Sequence, residues 1–460
     1  MKRAGLILLL AGCATQEREA RTFSIPIEVA GLPTGSEFVP VTCFIDFTAV
    51  LERLKVAGAV DERSLRLYAG NAEIPFQFSA SPQARPKERK LLPGTSPAVS
   101  LSAEYAAGET PAGVRVAGVL TWLARGPRYR LSFKVAPEGR LVQVPFPPQN
   151  LRAFDAQGRA TPVRHFPRMQ IRPQWPLDGK VDLYDGRQLV TTYHTGPTQG
   201  QAAPPLRRPF FYPVAGPDGI PLTEFGKPHD PTGSHAHHYS LWIAHGSVSG
   251  KDFWSERGGM IVHEQFELQE DGPVFGRIVQ KTRWVHGETE ALRERRTLTL
   301  YGGPEAFRVL DVDLELSAAG AAPVTLGKSS FGFLAARVAQ SMTPFDGGGE
   351  ILNARGDRSE HGAHLKRAEW IDQSGPISPG LWGGVAILDH PSNPNHPTGW
   401  HCRDDGWAGA SLNLDGPSTI EPGRPLKLRY RVVLHRGNAV QGEIARRFEE
   451  YASQPAVTLP

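Results

Sequence analysis

The sequence predicts an all-β protein. Glycine and proline together make up about a fifth of the 460 residues, so turns must be frequent and long helices are disfavoured. Short segments of alternating apolar and polar residues recur along the chain, for example over residues 64–68 and 180–184. Helical patterns are confined to residues 48–57 and 442–452. This distribution favours packed antiparallel sheets over a mixed α/β fold.

The strand patterns divide the chain into two modules of unequal size. Residues 22–136 predict a β-sandwich, and the proline-rich residues 137–164 predict a linker. Residues 165–455 contain longer strand patterns and predict two large packed antiparallel sheets. The first of the 15 histidines is His165, so the smaller module lacks histidine altogether. We therefore expect an accessory role for the first module and a functional site in the second.

Residues 1–21 resemble the signal and tether of a bacterial lipoprotein. A basic start over residues 1–3 is followed by a short apolar run over residues 4–10 and then by Cys13. Lipidation of Cys13 would hold the protein at a membrane surface without a spanning helix. We therefore expect an exported protein that is lipid-anchored to the cell envelope, in the outer membrane or the periplasm. A misassigned start codon or an uncleaved anchor would explain the same pattern.

Composition and missing motifs narrow the function classes. The net charge of only +4 gives no reason to expect a nucleic-acid partner. Cys43 and Cys402 are the cysteines that remain if Cys13 is lipidated, and we expect both to be free thiols. The sequence contains no Cys-x-x-Cys pair, nucleophilic-serine elbow, dinucleotide-binding glycine motif or phosphate loop. These absences count against a thiolate zinc site, ester hydrolysis, dinucleotide redox chemistry and nucleotide hydrolysis.

A dense histidine patch occupies residues 234–245. Imidazole titrates near neutrality, so it can accept a proton, donate one or bind a metal. We predict catalytic roles, by proton transfer or hydrogen bonding to a substrate, for His237, His238 and His245. The alternative is a divalent metal site built from His235, His237 and His238, since histidines two residues apart face the same side of an extended segment. A purely structural polar turn is the third interpretation.

A second patch occupies residues 389–403. A buried strand pattern ends at Asp389 and His390, and three closely spaced prolines then predict a rigid loop that positions His396 and His401. Rigid positioning suits proton transfer, and a carboxylate beside an imidazole can fix its tautomer. We therefore predict catalytic roles for Asp389, His390 and His401. Alternatively, Asp389 and Asn393 only cap the loop by local hydrogen bonds.

Further side chains in and between the two patches are candidates for contact with a substrate. The predicted binding residues are Trp242, His263, Asn393, His396, Trp400 and Arg403. His263 follows a strand pattern. A core histidine whose ring is hydrogen-bonded within the protein is an equally good interpretation of this residue. Several arginines on strand patterns, among them Arg337, are ambiguous, although an arginine on a sheet face could bind a carboxylated sugar through two hydrogen bonds.

Several segments resemble the bacterial family usually labelled "methane oxygenase PmoA". The similarity extends over residues 207–403 and lies in residues 208–219, 235–245, 248–254, 370–372, 389–393 and 400–403. It implies a supersandwich of the galactose mutarotase type, which is a sugar-binding fold. The family label also implies a metal-dependent oxygenase.

Three functions remain open from the sequence. The first is an exported lipoprotein that acts on an oligo- or polysaccharide through His/Asp acid–base chemistry, as a lyase, epimerase or hydrolase. Hydrolysis normally needs two carboxylates, and only Asp389 stands out, which favours lyase or epimerase chemistry. The second is a surface lipoprotein that binds glycans without turnover, and the third is the oxygenase that the family label implies. The enzymatic hypothesis depends on the two histidine patches meeting in one pocket.

Overall fold

The computed structural model describes residues 21–80, 117–136, 153–154, 160–161, 168–174, 179–198, 206–227, 232–255 and 257–459. The predicted lipidation site at Cys13 and most of the predicted linker, residues 137–164, lie outside these ranges. No helix within them is long and apolar enough to cross a membrane. Cys43 and Cys402 are both free thiols.

The smaller module is a sandwich of two antiparallel sheets. Its elements are β1 (Arg21–Ala30), β2 (Val39–Asp46), α1 (Phe47–Leu54), β3 (Ala59–Ala69), β4 (Ala72–Ile74), β5 (Phe76–Ala80), β6 (Ala117–Ala124) and β7 (Arg128–Ala136). One sheet has the order β2-β6-β5, and the other contains β1-β7-β3-β4. Trp122 and Phe133 are fully buried between them.

Helix α1 is shorter than the predicted 48–57. Asp46 begins α1 because its carboxylate accepts the backbone N–H groups of Thr48 and Ala49. Lys55 ends the helix by adopting a left-handed conformation with φ 53°.

The remaining strands lie in the larger module, apart from residues 153–154 and 160–161 of the predicted linker and residues 456–458, which pair with the smaller module. They are β8 (Ala153–Phe154), β9 (Ala160–Thr161), β10 (Met169–Pro173), β11 (Lys180–Asp185), β12 (Gln188–His194), β13 (Phe210–Val214), β14 (Leu241–Ile243), β15 (Gly259–Glu270), β16 (Phe275–His286), β17 (Thr289–Tyr301), β18 (Phe307–Ala318), β19 (Val324–Leu326), β20 (Leu334–Arg337), β21 (Glu350–Asn353), β22 (Trp370–Ser378), β23 (Leu381–Asp389), β24 (Gly399–Arg403), β25 (Trp407–Ser411), β26 (Ser418–Ile420), β27 (Leu426–Arg436) and β28 (Ala456–Thr458). Its helices are α2 (Ser359–Ala363) and α3 (Ile444–Ala452), with a 3₁₀ turn at Gln340–Met342.

Two eight-stranded antiparallel sheets form the body of the larger module. The first large sheet has the order β10-β11-β12-β13-β14-β20-β25-β24, and the second has the order β15-β16-β17-β18-β27-β23-β22-β21. Alternate residues of both sheets, such as Leu241, Ala408, Val312 and Val432, meet in one buried core. The predicted all-β fold with packed antiparallel sheets is therefore confirmed.

The outer faces of the two large sheets differ. Helix α3 covers the second sheet, where Ile444 and Tyr451 pack with Val433 and with Phe38 of the smaller module. The first sheet carries a separate cluster of large aromatic side chains on its outer face. The outer face of the first large sheet is therefore the candidate location of the functional site.

The C-terminal segment fastens the two modules together. The buried Glu450 carboxylate of α3 accepts the backbone N–H groups of Glu37 at 2.8 Å and Phe38 at 3.1 Å, and it pairs with the buried Arg447 at 2.8 Å. Strand β28 then pairs with β1 along the edge of the smaller module's larger sheet. Residues 456–458 therefore belong structurally to the first module.

We expect Glu450→Ala to lower the free energy of unfolding by about 3 kcal/mol, because it leaves Arg447 and two backbone N–H groups buried without this acceptor. Urea unfolding measures the loss. Glu443→Ala is the matched control, since the Glu443 carboxylate is 49% exposed and its removal should cost less than about 1 kcal/mol. Equal losses for the two variants would contradict the role assigned to Glu450.

Candidate functional site

The two histidine patches meet on the outer face of the first large sheet. The ring centroid of His238 lies 5.1 Å from that of Trp407, and the ring centroid of His401 lies 4.2 Å from it. Trp407 and His401 project outward because their neighbours Ala408 and Cys402 point into the core. One member of each patch therefore contacts the same tryptophan.

A cluster of aromatic rings forms the floor of this site, which we call the aromatic face. Its members are Phe210, Tyr239, Trp242, Trp254 and Trp407, all of them buried. The ring of Phe331 packs on Trp254, Trp407 and His401 and remains 38% exposed. The predicted substrate-binding residue Trp242 lies beneath His238, with the ring centroids 5.3 Å apart and the planes 23° from parallel.

A buried arginine fixes the tautomer of His238. Nη1 of Arg337 lies 2.9 Å from Nδ1 of His238. Arginine can only donate hydrogen bonds, so Nδ1 must accept, and the proton of the neutral ring sits on Nε2. Burial, and after it the nearby positive charges including Arg337, lower the pKa of His238 well below its ordinary value. His238 therefore offers an N–H donor at neutral pH.

Asp405 places a carboxylate beside these histidines. It lies in the tight turn that joins β24 to β25, where Gly406 adopts φ 105°. Its Oδ2 lies 3.2 Å from Lys227 Nζ, 3.6 Å from His235 Nε2 and 3.8 Å from Arg337. Its Oδ1 is buried and accepts no hydrogen bond from the described part of the chain. Most buried polar side-chain atoms in folded proteins have a hydrogen-bond partner, and Asp405 Oδ1 is among the exceptions in the described residues.

The other site histidines are also held neutral. Burial lowers the pKa of His401 to about 3, and the neighbouring His364 lowers it further than Arg403 does. Burial followed by the charge of Arg208 lowers the pKa of His237 to about 4. Nδ1 of His401 lies 3.2 Å from the hydroxyl of Ser330. Near neutral pH these rings can act as hydrogen-bonding groups or as bases, but they carry no proton to give away as cations.

The predicted Asp389 constellation lies elsewhere. The Asp389 carboxylate is buried and accepts hydrogen bonds from Asn393 Nδ2 at 2.7 Å, His396 Nδ1 at 2.7 Å and the Thr398 backbone N–H at 3.0 Å. These contacts match the alternative in which Asp389 and Asn393 cap the loop. The His396 ring stacks on Phe448 of α3, on the side of the second sheet.

His390 is also turned away from the aromatic face. Its ring packs edge-on against Tyr451 of α3, and its Nε2 lies 3.0 Å from Nη1 of Arg429. Burial, and after it Arg429, lower the pKa of His390 to about 4. We therefore leave Asp389, His390, Asn393 and His396 out of the candidate site.

Three more predicted residues are held by internal hydrogen bonds. Nδ1 of His245 accepts the Ser247 N–H at 3.0 Å and its Nε2 lies 3.2 Å from Asn413 Oδ1, so both ring nitrogens have partners. His263 pairs with Gln280 at 2.7 Å, as its core alternative expects. Trp400 lies in the inter-sheet core and donates its indole N–H to the Ala368 carbonyl at 2.8 Å.

Arg403 lies closer to the candidate site than these residues. It follows His401 and Cys402 on β24 and pairs with β25 opposite Trp407. Its guanidinium is half-exposed and forms an ion pair with Glu360 at 2.8 Å. We therefore place Arg403 at the rim of the aromatic face.

The histidines named as alternative metal ligands pack against one another by their rings. The ring centroid of His238 lies 5.1 Å from that of His235 and 4.5 Å from that of His237, with steep angles between the planes. Nδ1 of His238 is engaged by Arg337. Within the described ranges, no group of three or more His, Cys, Asp or Glu side chains has the geometry to hold a metal ion.

Sequence reasoning missed the roles of Asp405 and Trp407 and left that of Arg337 open. The run Asp404-Asp405-Gly406 between two strand patterns is a hairpin signal that could have been recognised. It would have placed Asp405 at the end of the strand that carries His401. Arg337 gives no comparable signal, because its partners are set by neighbouring strands that are distant in sequence.

A family model matches more than half of the chain. The protein belongs to DUF6807, a family of unknown function, whose model matches residues 180–449. The resemblance to the methane oxygenase PmoA family is thereby corrected, since the family found is DUF6807. The oxygenase activity implied by that label loses its basis. No curated protein matches the DUF6807 chain.

Three solved structures are similar to the DUF6807 protein at low levels. A glycosyl hydrolase family 38 protein from Enterococcus faecalis has a TM-score of 0.33 and 9% identity, covering 95% of this chain and 47% of its own. A heparinase III has a TM-score of 0.27 and 10% identity over 59% of this chain and 35% of its own. A putative kojibiose phosphorylase from the human microbiome has a TM-score of 0.28 and 9% identity over 60% and 32%. All three are named as carbohydrate-active enzymes, and the DUF6807 chain spans less than half the length of each.

We expect the free energy of unfolding to fall as the pH drops from about 6.5 towards 4. The pKa values of His237, His245, His390 and His401 are lowered to about 4 or below in the folded state, whereas an unfolded histidine titrates near 6.5. Between these values the unfolded chain binds more protons, so acid favours unfolding, by up to about 1.4 kcal/mol per pH unit for each such ring.

Denaturant unfolding at several pH values measures this slope. His245→Asn, which removes one of these rings, should show a shallower dependence than the unchanged protein. A free energy of unfolding that stays constant from pH 7 to pH 5 would contradict the assigned neutrality of these histidines.

We expect ¹⁵N NMR of histidine-labelled protein to show His238 protonated on Nε2 at pH 7. Arg337→Met should raise the pKa of His238 and mix its tautomers, because the variant lacks both the N–H donor and the positive charge. His245 serves as the internal control, since its Nδ1 accepts from a backbone N–H that the variant retains. An unchanged His238 signal in Arg337→Met would show that Arg337 does not set the tautomer.

Proposed function

We propose that this DUF6807 protein acts on an oligo- or polysaccharide at the aromatic face, by acid–base chemistry that uses Asp405 with the neutral histidines His238 and His401. The observation that supports this proposal best is the meeting of His238 and His401 on Trp407, beside a buried carboxylate oxygen that accepts no hydrogen bond among the described residues. Residues of both sequence patches and of the turn after β24 would then contact one ligand.

The composition of the site supports a sugar as the ligand. A sugar ring has apolar C–H faces and hydroxyl groups around its edge, so it binds to a flat aromatic surface bordered by a few polar groups. The exposed ring of Phe331 offers such a surface. The Asp405 carboxylate, which is 21% exposed, would accept a hydrogen bond from a sugar hydroxyl group. The buried N–H of His238 would supply a donor to a ligand that reaches beneath the exposed ring of Phe331.

The roles of the residues follow from their protonation. Asp405 is the candidate base, and it lies near the cations Lys227 and Arg337. His238 would donate its Nε2–H to the oxygen on which negative charge develops, and the low pKa of this ring keeps it uncharged. This base and this donor would suffice for epimerisation at the anomeric carbon of a neutral sugar, where the protons that move are bound to oxygen. Elimination would also require a carboxyl or carbonyl group next to the carbon that loses its proton.

Hydrolysis is the second candidate reaction. It normally requires two carboxylates flanking the bond that is cleaved. Glu224 and Asp346 line a small pocket next to Asp405, so acidic partners are present in the neighbourhood. The stereochemistry and structure of the product would distinguish hydrolysis from elimination, since only elimination leaves a C=C bond that absorbs in the ultraviolet.

We also propose that lipidation of Cys13 anchors the protein to the cell envelope, which would make its substrate an external or periplasmic glycan. Labelling of growing cells with a radioactive fatty acid tests the anchor directly. Cys13→Ser, which cannot be lipidated, is the control for that labelling.

We expect Asp405→Asn to reduce kcat/KM on a glycan that the protein processes by at least about 100-fold, because the amide cannot accept the proton. A depolymerisation and epimerisation screen over a glycan library identifies the substrate. His396→Gln is the matched control, since that ring packs against α3, and it should retain activity within about twofold.

Three outcomes would contradict the enzymatic proposal. Full activity of a folded Asp405→Asn variant would exclude Asp405 as the base. Tight glycan binding without any product would instead identify a glycan-binding protein. Stoichiometric copper or iron in the purified protein, with turnover lost on chelation, would restore the metal-dependent alternative.

A further inference from the structure

A small pocket adjoins Asp405. Besides Asp405 and Arg337 it is lined by Glu224, Lys227, Gln340, Thr343 and Asp346. Every one of these side chains is polar or charged, and the pocket has room for about one ordered water or one hydroxyl group of a ligand. Three carboxylates face two cations there, which favours a neutral sugar over a carboxylated one.

An exposed phenylalanine stands next to this pocket. Phe345 is 76% exposed. Thr343, two residues before it, and Asp346, the next residue, both line the pocket. The backbone N–H of Phe345 donates to the carbonyl of Asp404 at 3.1 Å. The backbone of Phe345 is therefore tied directly to the turn that carries Asp405.

The loop that carries Phe345 is tightly built. Buried Thr343 accepts three backbone N–H groups, from Asp346 at its hydroxyl and from Gly347 and Gly349 at its carbonyl, over 2.9–3.1 Å. A Cβ at either glycine would lie 1.9 Å from a backbone carbonyl oxygen, so only glycine fits at these positions. Burying a phenylalanine side chain stabilises a protein, and this compact loop holds the ring of Phe345 in solvent instead.

We propose that Phe345 and the adjoining pocket form a second sugar subsite. The inference rests on the proposed function. Phe331 would contact one sugar unit beside His401, and Phe345 would contact the next unit beyond the Asp404–Asp405 turn. The substrate is then a neutral chain of at least two sugars that extends past Asp405, and a monosaccharide occupies only the aromatic face.

The subsite predicts a binding pattern that depends on chain length. The probes are gluco-, xylo-, manno- and galacto-oligosaccharides of one to six units, with oligogalacturonates as the charged series, and binding is measured by calorimetry. We expect Phe345→Ala to weaken the binding of neutral oligomers about five- to tenfold, the usual effect of losing one aromatic contact. Binding of the monosaccharide should be unchanged.

Phe44→Ala is the matched control, because Phe44 is also an exposed phenylalanine, 59% exposed, but lies in the smaller module. It should bind every probe as the unchanged protein does. If Phe345→Ala binds neutral oligosaccharides of every length as tightly as the unchanged protein does, the subsite proposal alone is overturned. The same holds if the unchanged protein binds oligogalacturonates more tightly than the neutral oligosaccharides. Failure of the unchanged protein to bind any probe would overturn the carbohydrate function as well.

Discussion

The arrangement of the site depends on one buried cation. Arg337 is 1% exposed, and its guanidinium donates to Nδ1 of His238 and to the backbone carbonyl of Asp405, both at 2.9 Å. A buried guanidinium is tolerated only where such partners satisfy it. The same group therefore holds the loop before β14 and the β24–β25 turn together, and it orients a histidine from the first and a carboxylate from the second.

Strand order explains why only part of each histidine patch reaches this site. Strands β14, β20, β25 and β24 are consecutive neighbours in the first large sheet, so residues near 240, 337 and 405 lie side by side. Strand β23, which ends at Asp389, belongs to the second large sheet. The proline-rich loop between β23 and β24 crosses from one sheet to the other. Asp389 and His401, close in sequence, therefore face different surroundings.

Burial gives the site histidines a common electrostatic character. The pKa values of His237, His238 and His401 all lie well below the ordinary range, with burial as the largest cause and neighbouring cations acting in the same direction. Neutral imidazoles with defined hydrogen-bond partners can orient a polar, uncharged ligand without attracting counter-ions. The charged groups near these rings are Asp405, its neighbours Lys227 and Arg337, and Arg403 at the rim.

The sequence by itself determined the all-β class and the two-sheet design of the larger module, and it singled out His238 and His401 as candidate site residues, because strand periodicity, turn residues and residue type are local properties. The sequence was also compatible with two roles for Asp389, as a catalytic residue or as a cap of the loop that follows it. Only the tertiary structure decided between them, since it shows three internal donors that satisfy that carboxylate. The pairing of Arg337 with His238 and the unused oxygen of Asp405 likewise depend on which strands become neighbours. Strand neighbours are chosen by packing of the whole core, which no local pattern encodes.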